Sequence, residues 1–235
     1  MVLKDKVVVV TGASEGIGRA IAERVSKEGA ILAITGLNGD NLQEVASNIK
    51  SGGGKAEAFV CDLRDKNQIK DSVEAIVAKF GGIDVLINNA GIWQKVMQLD
   101  EIEDSVVEDV IATNLKGTIL MTKYVLPHLK AKQEETAIIN IVSRSGVIAK
   151  EGQSIYAASK YGAKGFTDVL RVDLKDTKIR IGAVYQAGVN TQLFSKTGED
   201  IPTEKFTEPQ DLADAVAYML NRPAKIWLSE IRVIY

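Results

Sequence analysis

Short apolar runs alternate with longer amphipathic segments along all 235 residues, and this alternation limits the possible folds more than any single motif does. A strand buried on both faces reads as a continuous apolar run, whereas the helices covering it carry apolar residues at helical spacing, so the pattern predicts a parallel sheet with helices on both faces. Strands are expected at Val7–Thr11, Ile31–Gly36, Lys55–Cys61, Val85–Asn88, Ala137–Ser143, Arg180–Tyr185 and Lys225–Val233. Helices are expected at Gly16–Glu28, Asn41–Ser51, Lys66–Phe80, Ile102–Thr113, Leu115–Lys132, Ile155–Lys175 and Pro209–Leu220. The chain length suits one sizeable core, and the expectation is one doubly wound α/β domain over residues 1–235 with a seven-stranded parallel sheet. Residues 188–208 break the alternation: they are polar and turn-rich, with Thr191, Ser195, Thr197, Gly198 and Pro202. A loop of that length in a compact domain reads as a lid over a site, with surface disorder as the alternative.

The turn after the first strand is Thr11-Gly12-Ala13-Ser14-Glu15-Gly16-Ile17-Gly18, and it opens a helix. Glycines there permit a tight bend and close backbone approach, while the helix N-terminus offers free N–H groups and a positive dipole end to a pyrophosphate. Gly52-Gly53-Gly54 follows a helix and precedes a strand, so it reads as a helix stop and loop. The second strand ends Thr35-Gly36-Leu37-Asn38-Gly39-Asp40, with neither the acid that holds the ribose hydroxyls of NAD nor the arginine that accommodates the 2′-phosphate of NADP at its tip. Asp40, with Gln43 three residues on, reads as a helix N-cap with a capping-box partner. Gly36 leaves room for a phosphate, and Asn38 and Ser14 can donate hydrogen bonds to one. Glu15 pulls the other way, so NADP is favoured and NAD stays open.

Tyr156 and Lys160 stand four apart in a predicted helix, and Ser143 lies thirteen positions upstream at a strand end. Positions i and i+4 share a helix face, so a phenol and an ammonium can point into one site. A neighbouring cation stabilises phenolate and lowers the phenol pKa from about 10, which suits an acid-base group, and a serine hydroxyl can hold the oxygen that gains or loses the proton.

The composition excludes several classes. With 29 basic and 31 acidic residues and no dense basic run, nucleic acid is not expected as a partner. The lone Cys61 reads as a buried thiol and excludes an intrachain disulfide, and carboxylates without His or Cys partners make no transition-metal site. His128 is expected near a helix end. The N-terminus runs straight into the apolar stretch from Val7 without signal-peptide features, and no run is long enough to span a bilayer, so a cytoplasmic setting without membrane association is the expectation.

Taken together, these residues resemble the short-chain dehydrogenase/reductase family, in its single-domain branch. The likeness runs from Val7 to about Thr191: the TGxxxGxG turn is Gly12, Gly16 and Gly18, the acid after the third strand is Asp62 in Cys61-Asp62-Leu63, and the NNAG motif is Asn88-Asn89-Ala90-Gly91. Asn114 matches the family's asparagine, and Ser143, Tyr156 and Lys160 match the rest of its tetrad. The resemblance implies a single-domain Rossmann fold with strand order 3-2-1-4-5-6-7 and hydride transfer between a nicotinamide and a carbonyl or secondary alcohol. It further implies proton transfer by Tyr156, a hold on the nicotinamide ribose by Lys160, a water anchored by Asn114 and substrate orientation by Ser143. A homodimer or homotetramer built on the two long helices, Leu115–Lys132 and Ile155–Lys175, is implied as well.

The chain departs from the family where PGxxxT usually stands, reading Gln186-Ala187-Gly188-Val189-Asn190-Thr191, with Val189 and Thr191 in matching positions. Asn221-Arg222-Pro223 leading to Glu230-Ile231 looks like the NADP-dependent 3-hydroxy acid or serine dehydrogenases, although Leu37 replaces their arginine and Ile226–Tyr235 lacks the common glycine-rich tail. Substrate-pocket candidates are Trp93, Gln94, Arg144, Ser145, Gln186, Leu193 and Phe194, with Arg144 the one able to hold a carboxylate. The expected activity is a carbonyl reductase of 3-oxoacyl or 3-hydroxy acid type. A non-catalytic NAD(P)-binding redox sensor or scaffold is the alternative, and a sugar epimerase is excluded because the chain has no room for its substrate domain.

Overall fold

The computed structural model describes residues 1–223 and 225–234; Ala224 and Tyr235, which end or interrupt the expected last strand and domain span, lie outside the described residues. The strands are β1 (Val7–Thr11), β2 (Ile31–Gly36), β3 (Lys55–Val60), β4 (Val85–Asn88), β5 (Thr136–Ile141), β6 (Ile179–Gln186) and β7 (Glu230–Val233). They form one seven-stranded sheet in the order β3-β2-β1-β4-β5-β6-β7, and every neighbouring pair is parallel. The helices are α1 (Gly16–Ser26), α2 (Gly39–Ser51), α3 (Lys66–Phe80), α4 (Asp104–Ile111), α5 (Thr118–Lys130), α6 (Ser154–Asp173) and α7 (Pro209–Leu220).

Period-two alternation sorts the strand side chains into two cores. Val8, Val10, Leu32 and Ile139 face α1, α2 and α7 through Ile21, Leu42 and Val216. Val7, Val9, Leu86 and Ile138 face α3, α5 and α6 through Ile69, Met121 and Leu170. The sheet is therefore doubly wound, a Rossmann-like α/β fold. Among the described residues no helix is long and apolar enough to cross a membrane.

Many boundaries shift by a residue or two, and three of the differences have clear local reasons. Asn38, not Asp40, caps α2: its side chain accepts from the N–H of Asn41 at 3.0 Å, which moves the helix start back and leaves Asp40 inside the first turn. The last strand begins at Glu230 and not at Lys225, and Trp227 in the approach donates its indole N–H to Ile181 O at 2.9 Å. The expected break between Thr113 and Leu115 is a π-helical turn, Ala112–Gly117, that joins α4 to α5 without interruption. The expected Gly52–Gly54 stop holds, with α2 ending at Ser51 and Gly53 at φ 83°.

A buried polar chain ties the sheet to the helices beneath the site. Asn88 Nδ2 donates to Thr122 Oγ1 of α5 at 2.9 Å and to Asn140 Oδ1 of β5 at 2.8 Å; Asn140 Nδ2 donates to Thr167 Oγ1 of α6 at 2.7 Å. Because a buried group stripped of its partner costs about 1–3 kcal/mol, Asn140→Ala should destabilise the fold by that amount in urea unfolding. A loss below about 0.5 kcal/mol, within the range of an ordinary surface change, would show that the chain does not hold α6 in place.

Candidate active site

Parallel pairing brings the C-terminal ends of all the strands to one edge, and the strand order reverses between β1 and β4, so a crevice opens there. It is a cleft of about 910 Å³. One end is lined by Gly12, Ser14, Glu15, Gly16 and Ile17 of the glycine turn, together with Gly36, Asn38, Asp62 and Leu63. Asn89, Ala90 and Gly91 line the middle, and Tyr156, Lys160, Gln186 and Thr191 line the other end.

The glycine turn is shaped by close approach. Gly12 has φ 63°, and a Cβ there would stand 2.7 Å from Ala90 Cα; a Cβ on Gly18 would stand 2.2 Å from Gly12 O. Gly18 therefore supports the turn from below instead of lining the cleft. Thr11 completes the brace: its hydroxyl accepts the N–H groups of Asn89 and Ala90, each at 3.0 Å, while Asn89 Nδ2 donates to Thr11 O and Gly12 O at 2.9 and 3.1 Å. The N-cap residue of α1, Glu15, makes no side-chain cap, so the first N–H groups of the helix are left facing the cleft. A cradle that a Cβ would fill, beside an uncapped helix start, fits the pyrophosphate of a dinucleotide.

At the far end of the turn the charges are already paired. Glu15 forms an ion pair with Lys196 of the 188–208 segment. Arg19 bonds Glu23 and Glu44 at 2.9 and 3.0 Å, and Arg64 bonds Asp62 and Asp109 at 2.8 and 2.9 Å. Arg64 holds the Asp62 carboxyl below its ordinary range. Asn38 spends its side-chain oxygen on the cap of α2, which leaves its amide nitrogen for any ligand.

The predicted tetrad converges. Tyr156 and Lys160 are 6% and 5% exposed, with the ammonium 5.7 Å from the phenol ring centroid. Lys160 Nζ donates to Ile141 O at 3.3 Å, and a Cβ on Gly91 would stand 3.5 Å from it. Burial governs both groups: it pushes the Tyr156 phenol up to about 12, against a smaller lowering from the Ser143 hydroxyl, and brings the Lys160 ammonium down to about 8. The lowering of the phenol expected from the Lys160 ammonium is not found: desolvation sets the direction, and the one opposing cause is the Ser143 hydroxyl.

Asn114 sits in the π-helical turn, 1% exposed, behind the cleft wall. Its Oδ1 accepts from Ile92 N at 2.8 Å, and its Nδ2 donates to Ile92 O at 3.0 Å and Ser159 Oγ at 3.1 Å. Ser159 in turn donates to Tyr156 O at 2.7 Å, linking Asn114 to the tyrosine's own turn of helix. Ser143 follows β5 with φ 147° and ψ 157°, a region costing a non-glycine residue about 1–3 kcal/mol, and its hydroxyl accepts from Ser145 N at 3.1 Å.

Several residues take places other than those expected. Gln94 is a cap and not a pocket wall: Oε1 accepts the N–H groups of Ile155 and Tyr156 at 3.1 and 2.9 Å, and Nε2 donates to Gly152 O at 3.0 Å. The start of α6 lacks a side-chain cap from its own N-cap residue, so Gln94 supplies it from 61 residues away in sequence. Arg144 and Ser145 do not line the cleft, and Ser145 donates to Gln153 Oε1 at 3.0 Å. Val189 is buried and bridges Thr207. Cys61 is buried, with its thiol pushed up to about 11, and His128 sits in the last turn of α5.

The segment 188–208 lies against the Tyr156 end. Trp93 stands edge-on to Tyr156 and to Phe194, with ring centroids 4.5 and 5.1 Å apart, and Phe194 meets Phe206 at 5.9 Å. Glu199 accepts from the Trp93 indole and, at 2.9 Å, from Val96 N. Thr11, Ser159, Lys196 and Glu199 were given no role from the sequence, although Thr11 opens the glycine-turn motif and Ser159 lies within the Tyr156–Lys160 turn.

Residues 6–202 match the family model described as short chain dehydrogenase. The chain is 34% identical over 229 residues, covering 94% of itself and 92% of the relative, to the 3-oxoacyl-(acyl-carrier-protein) reductase of Thermotoga maritima. Among solved structures it is similar to the 3-ketoacyl-(acyl-carrier-protein) reductase from Brucella melitensis complexed with NADH, with 30% identity, TM-score 0.88 and coverage of 98% and 96% of the two chains. It is also similar to a metagenomic short-chain oxidoreductase in complex with NADP, with 31% identity, TM-score 0.86 and coverage of 100% of both chains.

Proposed function

We propose, from the premise that this chain belongs to the short-chain dehydrogenase family and is a nicotinamide-dependent oxidoreductase acting on a small molecule, that it is an NADPH-dependent carbonyl reductase in which Tyr156 delivers the proton. The observation that carries this reading is the convergence of Tyr156, Lys160, Ser143 and Asn114 at one end of a cleft whose other end is a glycine cradle. When bound, the nicotinamide supplies the hydride. The chain's residues do the rest: Ser143 and Tyr156 hold the substrate oxygen, Lys160 stabilises the phenolate left behind, and Asn114 anchors both Ile92 and, through Ser159, the turn that carries Tyr156. Segment 188–208 acts as a lid, tied down by Lys196 on Glu15 and by Glu199 on Trp93.

The substrate read from the wall is a neutral ketone. Every cation lining the cleft except Lys160 already has a carboxylate partner, and Arg144 is not in the wall, so no free cation remains to hold a substrate carboxylate. This disfavours a 3-hydroxy acid; the 3-oxoacyl group in the name of the Thermotoga maritima relative is a neutral ketone of the class this wall admits. NADPH is favoured by the absence of an acid at the tip of β2, by room at Gly36 beside Ser14 Oγ, and by compensation of the Glu15 charge by Lys196.

A homo-oligomer is supported by α6, which exposes Val169 and Val172 at 60% and 65% along the same face as Tyr161 and as Gly165, where a Cβ would meet nothing. Replacing both valines by lysine should convert the assembly to a monomer in sedimentation analysis; a wild-type chain that already sediments as a monomer would end that reading.

Tyr156→Phe should lower kcat for ketone reduction by roughly 10²–10⁴ and leave NADPH binding intact, and equal turnover by the variant would remove the tyrosine from the chemistry. Since Lys160 is charged below about 8 and neutral above it, kcat/KM for reduction should be level at lower pH and fall as pH rises through that value. Lys160→Met should abolish the falling limb; a limb that persists belongs to another group. NADPH should bind more than about tenfold tighter than NADH, and Gly36→Asp, which sets a carboxylate at the ribose, should reverse the order. Tighter NADH binding by the wild type would assign the chain to NAD.

A further inference from the structure

Gln186 ends β6 where the sequence departs from the family pattern, and its side chain is the one polar group in the cleft wall at the Tyr156 end that is buried without use. It is 8% exposed, lines the cleft, and has its Oε1 buried with no hydrogen-bond partner among the described residues. Ile141, the last residue of β5, pairs with Val184, and Val142 N donates to Val184 O at 2.9 Å, so the chain leaving β5 toward Ser143 runs alongside the end of β6 that carries Gln186. A carbonyl oxygen held by Ser143 and Tyr156 therefore has Gln186 next to the carbon chain on its β6 side.

A buried acceptor without a donor costs about 1–3 kcal/mol; Gln186 Oε1 has almost no accessible surface as it stands, so a ligand donor recovers that cost by drawing the amide round toward the cleft. We infer that Gln186 determines specificity by accepting a hydrogen bond from a hydroxyl on the carbon chain next to the reacting carbonyl, so that the preferred substrate is a neutral hydroxyketone. The rest of the wall agrees. Trp93 lines the cleft, Phe194 packs edge-on against it from outside the wall, and Glu199 on the Trp93 indole adds a negative charge behind that wall, which disfavours an anionic substituent. A carboxylate would bring only acceptors to Gln186 Oε1 and find no unpaired cation apart from Lys160, whereas a hydroxyl brings the missing donor without a charge.

This inference rests on the carbonyl-reductase reading, and the test separates the two. Hydroxyacetone, acetone, pyruvate and ethyl acetoacetate share a methyl ketone and differ in the substituent beside it. With NADPH, kcat/KM for hydroxyacetone should exceed that for acetone by about tenfold, equivalent to about 1.4 kcal/mol, and should exceed that for pyruvate by more. In Gln186→Leu, which keeps the volume and removes the acceptor, the hydroxyacetone-to-acetone ratio should fall to near one while the NADPH dissociation constant stays within about twofold of the wild type, a change below about 0.5 kcal/mol.

Equal use of hydroxyacetone and acetone, or a ratio unmoved in Gln186→Leu, would overturn the assignment. A loss of NADPH affinity in the variant matching the loss of turnover would overturn it too, by giving Gln186 to the cofactor. Preference for ethyl acetoacetate or pyruvate over hydroxyacetone would overturn it while leaving a carbonyl reductase standing. If no ketone is reduced, the reductase reading fails on its own. Ligand-observed NMR on the NADP-loaded Tyr156→Phe protein then decides the Gln186 contact: hydroxyacetone must saturate more strongly than acetone, and the difference must vanish when Gln186→Leu is added.

Discussion

Parallel pairing is the constraint from which the rest of this molecule follows. It sends every strand the same way, so each one ends on the same edge of the sheet, and the outward reversal of strand order between β1 and β4 leaves a gap there that no side chain has to be moved to create. Both faces of the sheet are needed for packing, so the only place left for polar chemistry is this edge. The glycine turn, the Asn88–Gly91 segment, Ser143 and Gln186 all sit at strand ends for that reason. The buried Asn88, Asn140 and Thr167 chain is a polar intrusion into a core, and it fastens α6 to β4 and β5.

Within the site, positioning groups outnumber reacting ones. Tyr156 is held through its backbone, with its N–H on Gln94 and its carbonyl on Ser159, leaving the phenol for substrate and Ser143. The π-helical turn at Ala112–Gly117 gives Asn114 the orientation to hold both Ile92 backbone groups and Ser159 at once, and the Thr118 hydroxyl takes up the carbonyl of Asn114 at 3.0 Å. Desolvation dominates the electrostatics: it favours neutral phenol and neutral amine alike.

The sheet was legible because β1, β4, β5 and β6 are buried along their whole length, and helix period and strand period differ enough to be told apart in this chain; the edge strand β7, with Glu230 and Arg232, is where the expected start was misplaced. Tyr156, Lys160 and the glycine turn were legible because their chemistry is local in sequence: a helix face for the pair, a strand-to-helix bend for the turn. Gln94 was misread as a pocket residue because its partners lie 61 residues away and capping from a distant loop leaves no local signature. Asp40 was misread for the opposite reason, since two residues two positions apart could each cap α2 and only the backbone geometry selects Asn38. The direction of the phenol shift failed because spacing reports a neighbour's charge and says nothing of how little water remains around both groups.

Trp93 and Trp227 divide the molecule's intrinsic fluorescence between two environments. Trp227 gives its N–H to Ile181 O and lies 5.5 Å from the Arg180 guanidinium at the β7 edge, remote from the cleft. Trp93 lies between Tyr156 and Phe194 with its indole N–H on Glu199. The chain thus carries its own optical label at the point where the 188–208 segment meets Tyr156, with a second indole as an internal reference. Emission from Trp93 registers the state of that junction without any added dye, and the Trp227 signal calibrates it.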